Sequence, residues 1–418
     1  MADTDKGESI CRPGHQTFLL RSAWLCHRTT DTGFRTVGSF GVLPVFRTPG
    51  HPVGEESGWS VDGAQGTRGW PVAYVPILKA KAGELQALEH ATPEVRSRMR
   101  PVLELVPDPE LVRDQLETFS DRAMDAIPTG EVLTVDCGAL PATQVLEGAR
   151  GGPIARLSES LGLRGVDMCP VVRISDADDV LHEAAEASRS HQRGACLRVA
   201  TGLSGATPNE DQIRTMLRTI RLAPEEVDLL IDAGPVQSGS TMDGLVEGVI
   251  KILDLLSQWQ WRHECVAAGA FPANLSGFPR GQATPVARRD LELWKRVANH
   301  LHDQTPDFGD FGVTHPRMPT QSRGTPDPNM RYTTPDNWQV FVYPRVRPGN
   351  DDFFTLSRDL VSSPHWPATG PRTSWGDARL HECANRQRLK AGGGTQWRAW
   401  ATSHHLAMVT AELATWAR

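Results

Sequence analysis

From residue 73 onward, short apolar runs alternate with longer stretches in which apolar positions recur at helical spacing. The runs are four to six residues long and rich in Val, Leu and Ile, which is typical of parallel strands buried on both faces. They are Ala73–Leu78, Val102–Val106, Val132–Cys137, Cys169–Ile174, Ala195–Val199, Val227–Asp232, Cys265–Ala270 and Phe311–Thr314. The pattern therefore predicts eight buried strands.

Helical stripes separate these runs, such as Ile213, Leu217 and Ile220, or the stretch from Leu245 to Leu256. Strands that alternate with helices indicate repeated βαβ units. Eight repeats favour closure into an α/β barrel of the TIM type, (β/α)8. The alternative is a doubly wound open parallel sheet, because one sequence does not show closure. No glycine-rich dinucleotide fingerprint follows the first strand, which removes the usual reason for preferring that alternative.

The chain on either side of this repeating region has a different character. Residues 1–71 are rich in Gly, Arg, Thr and His and hold no period, so we interpret them as a disordered leader or as translated upstream sequence. Residues 72–418 are predicted to form a single barrel domain. Within it, residues 314–338 form a long Pro- and Arg-rich loop, either a lid or a disordered segment, and a helix from about Thr395 to Ala414 ends the chain.

Composition narrows the class of protein. The formal net charge is −6, with 44 basic and 50 acidic residues mixed along the chain, which argues against a protein that coats nucleic acid by charge alone. No apolar run reaches the roughly 20 residues that cross a bilayer. The 7 cysteines include no CxxC pair, and four of them lie in or beside apolar runs, as reduced thiols do. We expect a cytoplasmic protein without a membrane partner.

Charged residues stand at the ends of the predicted strands in an unusually regular series. The series is Lys79, Glu104, Asp136, Arg173, Arg198 and Asp232, with Asp310 and His315 about the eighth strand. In a (β/α)8 barrel the strand ends surround the active-site mouth. Period-two geometry lets the middle members of the series point inward together, so we expect one polar basin at this mouth.

This basin suggests a catalytic chemistry. Its three carboxylates suit a hard divalent cation such as Mg²⁺, with Glu104, Asp136 and Asp232 as the metal ligands. Its cations are predicted to bind phosphate or carboxylate, and they are Lys79, Arg173 and Arg198. Asp136, Asp232 or His315 is then a candidate general base. The structural alternative is that the same charges neutralise one another in a buried network that closes the mouth.

Two further features lie near the C-terminus. His404 and His405 are adjacent on the predicted last helix, where successive side chains point about 100° apart, so one of them can face a site as a catalytic proton donor. Tryptophans from Trp338 to Trp400 are interleaved with arginines such as Arg398, a pattern that suits either stacking on nucleic-acid bases or packing against the barrel wall. Neither HExxH nor the H-x-E and P-C-x-x-C deaminase pair occurs, so the zinc sites they encode lose support.

Three segments resemble the phage-type beta protein family of phages and bacteria. They are YVPILKAKAGELQAL (Tyr74–Leu88), RPVLELVP (Arg100–Pro107) and TQWRAWATSHHL (Thr395–Leu406). The resemblance spans about Val72 to the end. It implies a family without an established activity, a chain start near the first motif, and a phage-related or defence role. Its recurring positions include Lys79, Glu104, His404 and His405, and they add Lys81 as a substrate-binding candidate.

Two functions from different classes remain open at this point. The first is a barrel enzyme that acts on a phosphorylated or nucleotide-derived substrate, in the form of a metal-assisted hydrolase. The second is a non-catalytic barrel that binds a protein or nucleic acid in phage–host conflict, through the 314–338 loop and the Trp- and Arg-rich C-terminus. Because barrels host many unrelated functions, the fold does not choose between them.

Overall fold

A computed structural model of the chain describes residues 73–107, 112–128, 130–140, 151–201, 208–236, 241–302, 305–317, 327–346 and 348–416. The described residues belong to one compact unit, Gln65–Arg418. The leader predicted over residues 1–71 lies outside them. Among the described residues, no helix combines the length and the apolar character that crossing a membrane requires.

Eight parallel strands close into a barrel, as the strand count predicts. They are β1 (Tyr74–Leu78), β2 (Val102–Glu104), β3 (Val132–Asp136), β4 (Asp167–Val172), β5 (Ala195–Ala200), β6 (Val227–Pro235), β7 (His263–Gly269) and β9 (Asp307–Asp310). Each strand pairs with the next, and β9 pairs with both β7 and β1, which closes the ring. The (β/α)8 prediction is thus confirmed, and the open-sheet alternative is wrong.

Helices follow the barrel strands and cover the outside of the barrel. They are α1 (Ala82–Glu89), α2 (Pro93–Arg96), α3 (Val112–Ala126), α4 (Pro153–Leu163), α5 (Asp178–His191), α6 (Glu210–Ile220), α7 (Met242–Leu256) and α8 (Arg289–Leu301). The apolar stripe of α6, Ile213, Leu217 and Ile220, is buried against the barrel as its spacing predicts.

A second, smaller layer is built from chain inserted around the eighth barrel strand. Its antiparallel sheet has the order β10-β11-β8, with β8 (Ala283–Ala287), β10 (Asn329–Thr333) and β11 (Asn337–Val342). Three helices complete this layer, namely α9 (Asp352–Val361), α10 (Trp375–Ala384) and α11 (Gly394–Leu413). A separate apolar cluster, which includes Trp338, Phe353, Trp397 and Trp400, forms its core.

Most predicted strand boundaries agree with the structure to within three residues, and two parts of the prediction differ by more than this. The eighth barrel strand is Asp307–Asp310, whereas the apolar run that we assigned, Phe311–Thr314, comes directly after it. The apolar pattern did not predict this strand, because its sequence DFGD has a carboxylate at each end. Asp307 and Asp310 are nevertheless buried, since Arg100 and Tyr74 bind them. The predicted 314–338 loop contains β10, and its residues 318–326 lie outside the described residues.

Small apolar side chains fill the inside of the barrel. The inner cluster includes Val75, Val171 and Leu230 together with three free thiols, Cys169, Cys196 and Cys265. Burial raises the pKa of Cys169 to about 12, so this thiol is protonated and acts as a small hydrophobe. The interior is tightly packed at Gly309 of β9, since a Cβ there would lie 2.7 Å from the Cβ of Ala267.

A buried polar seam joins α11 to the barrel and to the second sheet. Asp310, at the end of β9, accepts hydrogen bonds from the Tyr74 hydroxyl (2.6 Å to Oδ1) and pairs with His405 Nε2 (2.9 Å to Oδ2). The other ring nitrogen of His405 lies 2.8 Å from the Thr333 hydroxyl on β10. Because all four side chains are buried and mutually satisfied, the seam fixes where the middle of α11 lies over the barrel.

Asp290, at the start of α8, is a poorly compensated carboxylate near this seam. It is 1% exposed, and neither of its side-chain oxygens has a hydrogen-bond partner among the described side chains. Burial and the nearby charge of Asp310 raise the pKa of Asp290 to about 7, against the opposing effect of Arg288. The folded protein therefore holds this carboxyl group protonated in acid and mildly acidic solution.

We predict that Asp290 makes the free energy of unfolding fall as pH rises from about 4 to about 7. In this window the unfolded chain releases the proton while the folded protein retains it, so the unfolded state gains stability; above pH 7 both states are ionised and the effect is constant. Chemical denaturation of wild type and Asp290→Asn over this range should give curves that diverge by up to about 4 kcal/mol. Parallel curves would contradict the assignment.

Gly83 allows α1 and α11 to approach each other closely. A Cβ at this position would lie 2.7 Å from the main-chain oxygen of Thr395 and 3.2 Å from the nitrogen of Ala399. These contacts are to backbone atoms, which do not move aside as a flexible side chain can.

Gly83→Ala should therefore destabilise the protein by about 1–3 kcal/mol in denaturant titrations, because the two helices must separate. Gly248→Ala in α7 is the matched control, since a Cβ there would meet nothing within 4 Å. The control should gain about 0.5–1 kcal/mol, as expected for alanine in place of glycine inside a helix. Equal effects at the two positions would show that the α1–α11 crossing is not tight.

Candidate functional site

Three of the strand-end carboxylates converge on one guanidinium at the C-terminal mouth of the barrel. Arg198, at the end of β5, donates to Asp232 Oδ2 from Nε (3.0 Å) and Nη2 (2.6 Å). Its Nη1 donates to Asp136 Oδ2 (2.6 Å) and to Glu104 Oε2 (2.9 Å). Burial would lower the pKa of Arg198, but the three carboxylates raise it well above its ordinary value. Arg198 is therefore the cationic centre of a shared network.

Two more cations complete this network. Lys79, which is 2% exposed, donates from Nζ to Glu104 Oε1 (2.7 Å) and to the main-chain oxygen of Pro316. Arg173 donates from Nη2 to Asp136 Oδ2 (2.6 Å). Burial alone would raise the pKa of Asp136, but Arg173 and Arg198 lower it below its ordinary value. Three cations and three carboxylates thus form one balanced, largely buried cluster.

A glycine gives Arg173 its position in the network. A Cβ on Gly138 would lie 1.9 Å from Nη1 and 2.5 Å from Cζ of Arg173. The amide of Gly138 also donates to Asp136 Oδ1 (2.9 Å), so the same residue supports both partners. The turn after β3 therefore lies directly against the guanidinium, and a side chain at Gly138 would require Arg173 to shift.

The predicted metal ligands are brought together, but around a cation that the chain itself supplies. Glu104, Asp136 and Asp232 all direct oxygens at Arg198, which stands where a Mg²⁺ ion would be expected. In the described part of the chain, no group of three His, Cys, Asp or Glu side chains is arranged to hold a metal ion. These donors do not fit a metal in the observed arrangement, so we derive no step through one.

The two C-terminal histidines lie away from the strand-end network. His405 belongs to the buried seam with Asp310 and Thr333. His404 is bound between Asp377 Oδ2 (2.9 Å at Nδ1) and the main-chain oxygen of Thr333 (2.8 Å at Nε2). Both histidines are at most 1% exposed, so the structure brings neither of these predicted proton donors to the mouth. Their observed contacts anchor α11.

His315, the other candidate general base, lies in the segment that follows β9. Its ring nitrogen Nδ1 accepts a hydrogen bond from the amide of Arg317 (3.1 Å) and lies 2.9 Å from the main-chain oxygen of the same residue.

The C-terminal tryptophans Trp338, Trp397 and Trp400 are buried in the second apolar cluster, where they are not available to stack on bases. Their interleaving with arginine reflects packing, since the guanidinium of Arg388 lies 5.4 Å from the ring of Trp400.

A cavity of about 460 Å³ opens beside Lys79, at the same end of the barrel. Its basic lining residues are Lys79, Lys81, Arg122 and Arg398. Its apolar wall contains Leu85, Leu105 and Phe119. None of the described residues that line it is acidic. A cavity with this lining suits a small molecule that carries negative charge.

Helix starts add to the positive character of this cavity. Ala82 and Gly83 at the start of α1 and Gly394 and Thr395 at the start of α11 all line it. The first amides of a helix lack partners within the helix and carry partial positive charge. Ala80, between the two lysines, adopts the left-handed conformation (φ 54°). This turn lets Lys79 point into the barrel while exposed Lys81 lies at the cavity rim.

Sequence reasoning missed several residues of this region. Arg122 and Gln115 lie on α3, and they carry no signal beyond the polar face of an ordinary helix. Arg398 was visible only as part of a Trp- and Arg-rich pattern, and Arg331 only as part of a predicted loop. Their proximity depends on α11 and β10 folding back over the barrel, which strand-end reasoning does not include.

Among solved structures, the chain is similar to a type I 3-dehydroquinate dehydratase from Clostridium difficile (11% identity, 60% of this chain and 88% of that chain, TM-score 0.32). It is also similar to a triosephosphate isomerase from Bartonella henselae (11%, 57% and 90%, TM-score 0.28) and to a C. difficile alanine racemase (10%, 66% and 77%, TM-score 0.29). No curated protein matches the sequence.

The sequence also matches a family model. The model described as Beta protein covers residues 74–411, which include the whole barrel and the second layer almost to the end of α11. This range contains all three segments on which the resemblance was based. The chain therefore belongs to the Beta protein family.

Proposed function

We propose that this protein is a barrel enzyme that binds a phosphorylated small molecule, nucleotide-derived or similar, at the C-terminal end of the barrel. The observation that carries the proposal is the cavity with four basic and no acidic lining residues among those described. Lys81, Arg122 and Arg398 would bind the phosphate, and the apolar wall would bind an uncharged part of the ligand. Hydrogen bonds between ionised groups are stronger than neutral ones, so this lining selects for charge.

The reacting groups of this proposal are Lys79 and Glu104. Lys79 lines the cavity and donates a hydrogen bond to Glu104 (2.7 Å), so the two groups lie next to each other at the cavity wall, where general acid–base chemistry on a bound ligand would need them. Asp136 and Asp232 hold Arg198, and we assign them a positioning role in place of the catalytic role predicted from the sequence. Hydrolysis assisted by a metal is not part of this proposal, since Arg198 occupies the carboxylates.

Three further predictions from the sequence concern the cellular location, a phage-related role and the non-catalytic alternative. Buried, free Cys137, Cys169, Cys196, Cys265 and Cys383 support our proposal of a cytoplasmic location, where thiols stay reduced. A phage-related or defence role stays a prediction from the family resemblance. The alternative, a non-catalytic barrel that binds a protein or nucleic acid, stays a prediction, and burial of Trp338, Trp397 and Trp400 weakens its support from the C-terminal tryptophans.

The proposal predicts that phosphorylated ligands bind and that their dephosphorylated counterparts do not. Calorimetry with nucleoside monophosphates and sugar phosphates, each paired with its parent nucleoside or sugar, measures this directly. Lys81→Gln or Arg122→Gln should weaken binding by roughly 10- to 100-fold, the effect of losing one charge-assisted contact. Mass spectrometry of the same mixtures shows which bound compound is converted.

Lys251→Gln is the matched control, because Lys251 lies on the outer surface of α7 and pairs with Glu247 at 2.7 Å. This variant should bind as wild type does. Equal affinity for phosphorylated and parent compounds, or an equal loss in Lys81→Gln and Lys251→Gln, would overturn the assignment of the cavity.

A further inference from the structure

The segment Phe311–Pro316, which we name the strap, leaves β9 and lies on the barrel mouth. Phe311 contacts two cations of the mouth, with its ring centroid 5.1 Å from Lys79 Nζ and 5.7 Å from Arg198 Cζ. A Cβ on Gly269, at the end of β7, would meet both Pro316 Cγ (2.3 Å) and Phe311 Cδ2 (2.9 Å). The strap is therefore packed tightly against the barrel.

Main-chain oxygens of the strap bind cationic side chains. The oxygen of Val313 accepts from Nη1 of Arg331 (2.5 Å) and from Nη1 of Arg398 (2.9 Å). The oxygen of Pro316 accepts from Lys79 Nζ. A carbonyl oxygen carries only a partial charge. A guanidinium therefore binds a carboxylate or phosphate oxygen far more strongly than it binds a carbonyl oxygen.

The two arginines are short of negative charge. Buried Glu84 is the carboxylate whose charge stabilises the ionised form of both arginines. Burial lowers the pKa of Arg331 well below its ordinary value, and Arg398 adds to this effect. Nε of Arg331 is buried and has no hydrogen-bond partner among the described residues. Two cations near one carboxylate leave an excess positive charge that is only partly exposed to water.

We propose that Arg331 and Arg398 form a binding site for an anionic group, carboxylate or phosphate, which takes the place of the Val313 oxygen. The incoming group brings the missing negative charge, and it can accept from Nη1 of both arginines and from the unpartnered Nε. When it binds, the strap loses two of its hydrogen bonds and moves away from the mouth.

This inference deepens the proposed function and rests on it for one point, the identity of the ligand. Arg398 belongs both to the arginine pair and to the lining of the 460 Å³ cavity, so the two places are adjacent. The ligand class is then a small molecule with two anionic groups, a phosphate near Lys81 and Arg122 and a second carboxylate or phosphate at Arg331.

The test uses the full chain with inorganic phosphate as the probe. Hydrogen–deuterium exchange of the strap amides reports on the strap itself, and thermal unfolding reports on binding. In wild type, phosphate should raise the melting temperature and increase exchange at the strap. Arg331→Met should lose the exchange response of the strap but keep part of the rise in melting temperature, because the cavity residues still bind phosphate. Without phosphate this variant should melt at a higher temperature than wild type, because an uncompensated charge is gone.

Two controls separate this site from its neighbours. Arg280→Met removes an exposed arginine of the second layer, paired with Asp327 at 2.9 Å, and should respond to phosphate as wild type does. Lys81→Gln should lose affinity for phosphorylated ligands in the cavity while keeping the strap response to phosphate. If Arg331→Met is less stable than wild type without phosphate, or if its strap still responds, the arginine pair is structural and the inference is wrong. A strap response without any ligand binding in the cavity would overturn the proposed function alone.

Discussion

The guanidinium of Arg198 determines how the barrel mouth is built. It binds carboxylates from three different strands, Glu104 of β2, Asp136 of β3 and Asp232 of β6, within 3.0 Å. Carboxylates at this depth are costly unless they are paired, and the removal of one partner leaves the others buried without compensation. Arg173 and Lys79 extend the same cluster to the turn after β3 and to the strap. The charge of every member therefore depends on its neighbours.

The balanced cluster around Arg198 is bordered by positively charged residues, which we call the border: those of the basic cavity and the pair Arg331 and Arg398. Beside the balanced cluster lie the basic cavity, which Lys79 also lines, and the arginine pair, whose Nη1 atoms donate to the main-chain oxygen of Val313. Burial of unbalanced positive charge is unfavourable in the free protein, and an anionic ligand removes that cost when it binds. In the proposed function the border recognises the charge of the ligand, and the balanced cluster contributes Lys79 and Glu104 as the reacting groups. The strap lies between them and contacts both.

Much of the barrel could be predicted from sequence, because strand periodicity and strand-end charges are local features. The inward direction of Asp136, Arg173, Arg198 and Asp232 followed from alternation along each strand and is observed. Which charges would pair could not be predicted, since pairing depends on side-chain reach across the barrel and on details such as the absence of a side chain at Gly138. The prediction that His404 or His405 faces a catalytic site differs from the structure for a similar reason. Their partners Asp310, Asp377 and Thr333 come from three separate elements, and the family resemblance gave their presence but not their burial.

The most direct test of this account is a double-mutant cycle on Arg198 and Asp232, measured as the free energy of unfolding in denaturant. Each single variant, Arg198→Met and Asp232→Asn, should cost about 3–5 kcal/mol, because it leaves buried charge without a partner. The double variant should cost less than the sum of the two by at least about 1 kcal/mol, as expected for residues that share one network. Small and additive effects would show that the strand-end charges do not act as one buried cluster, which would contradict the account.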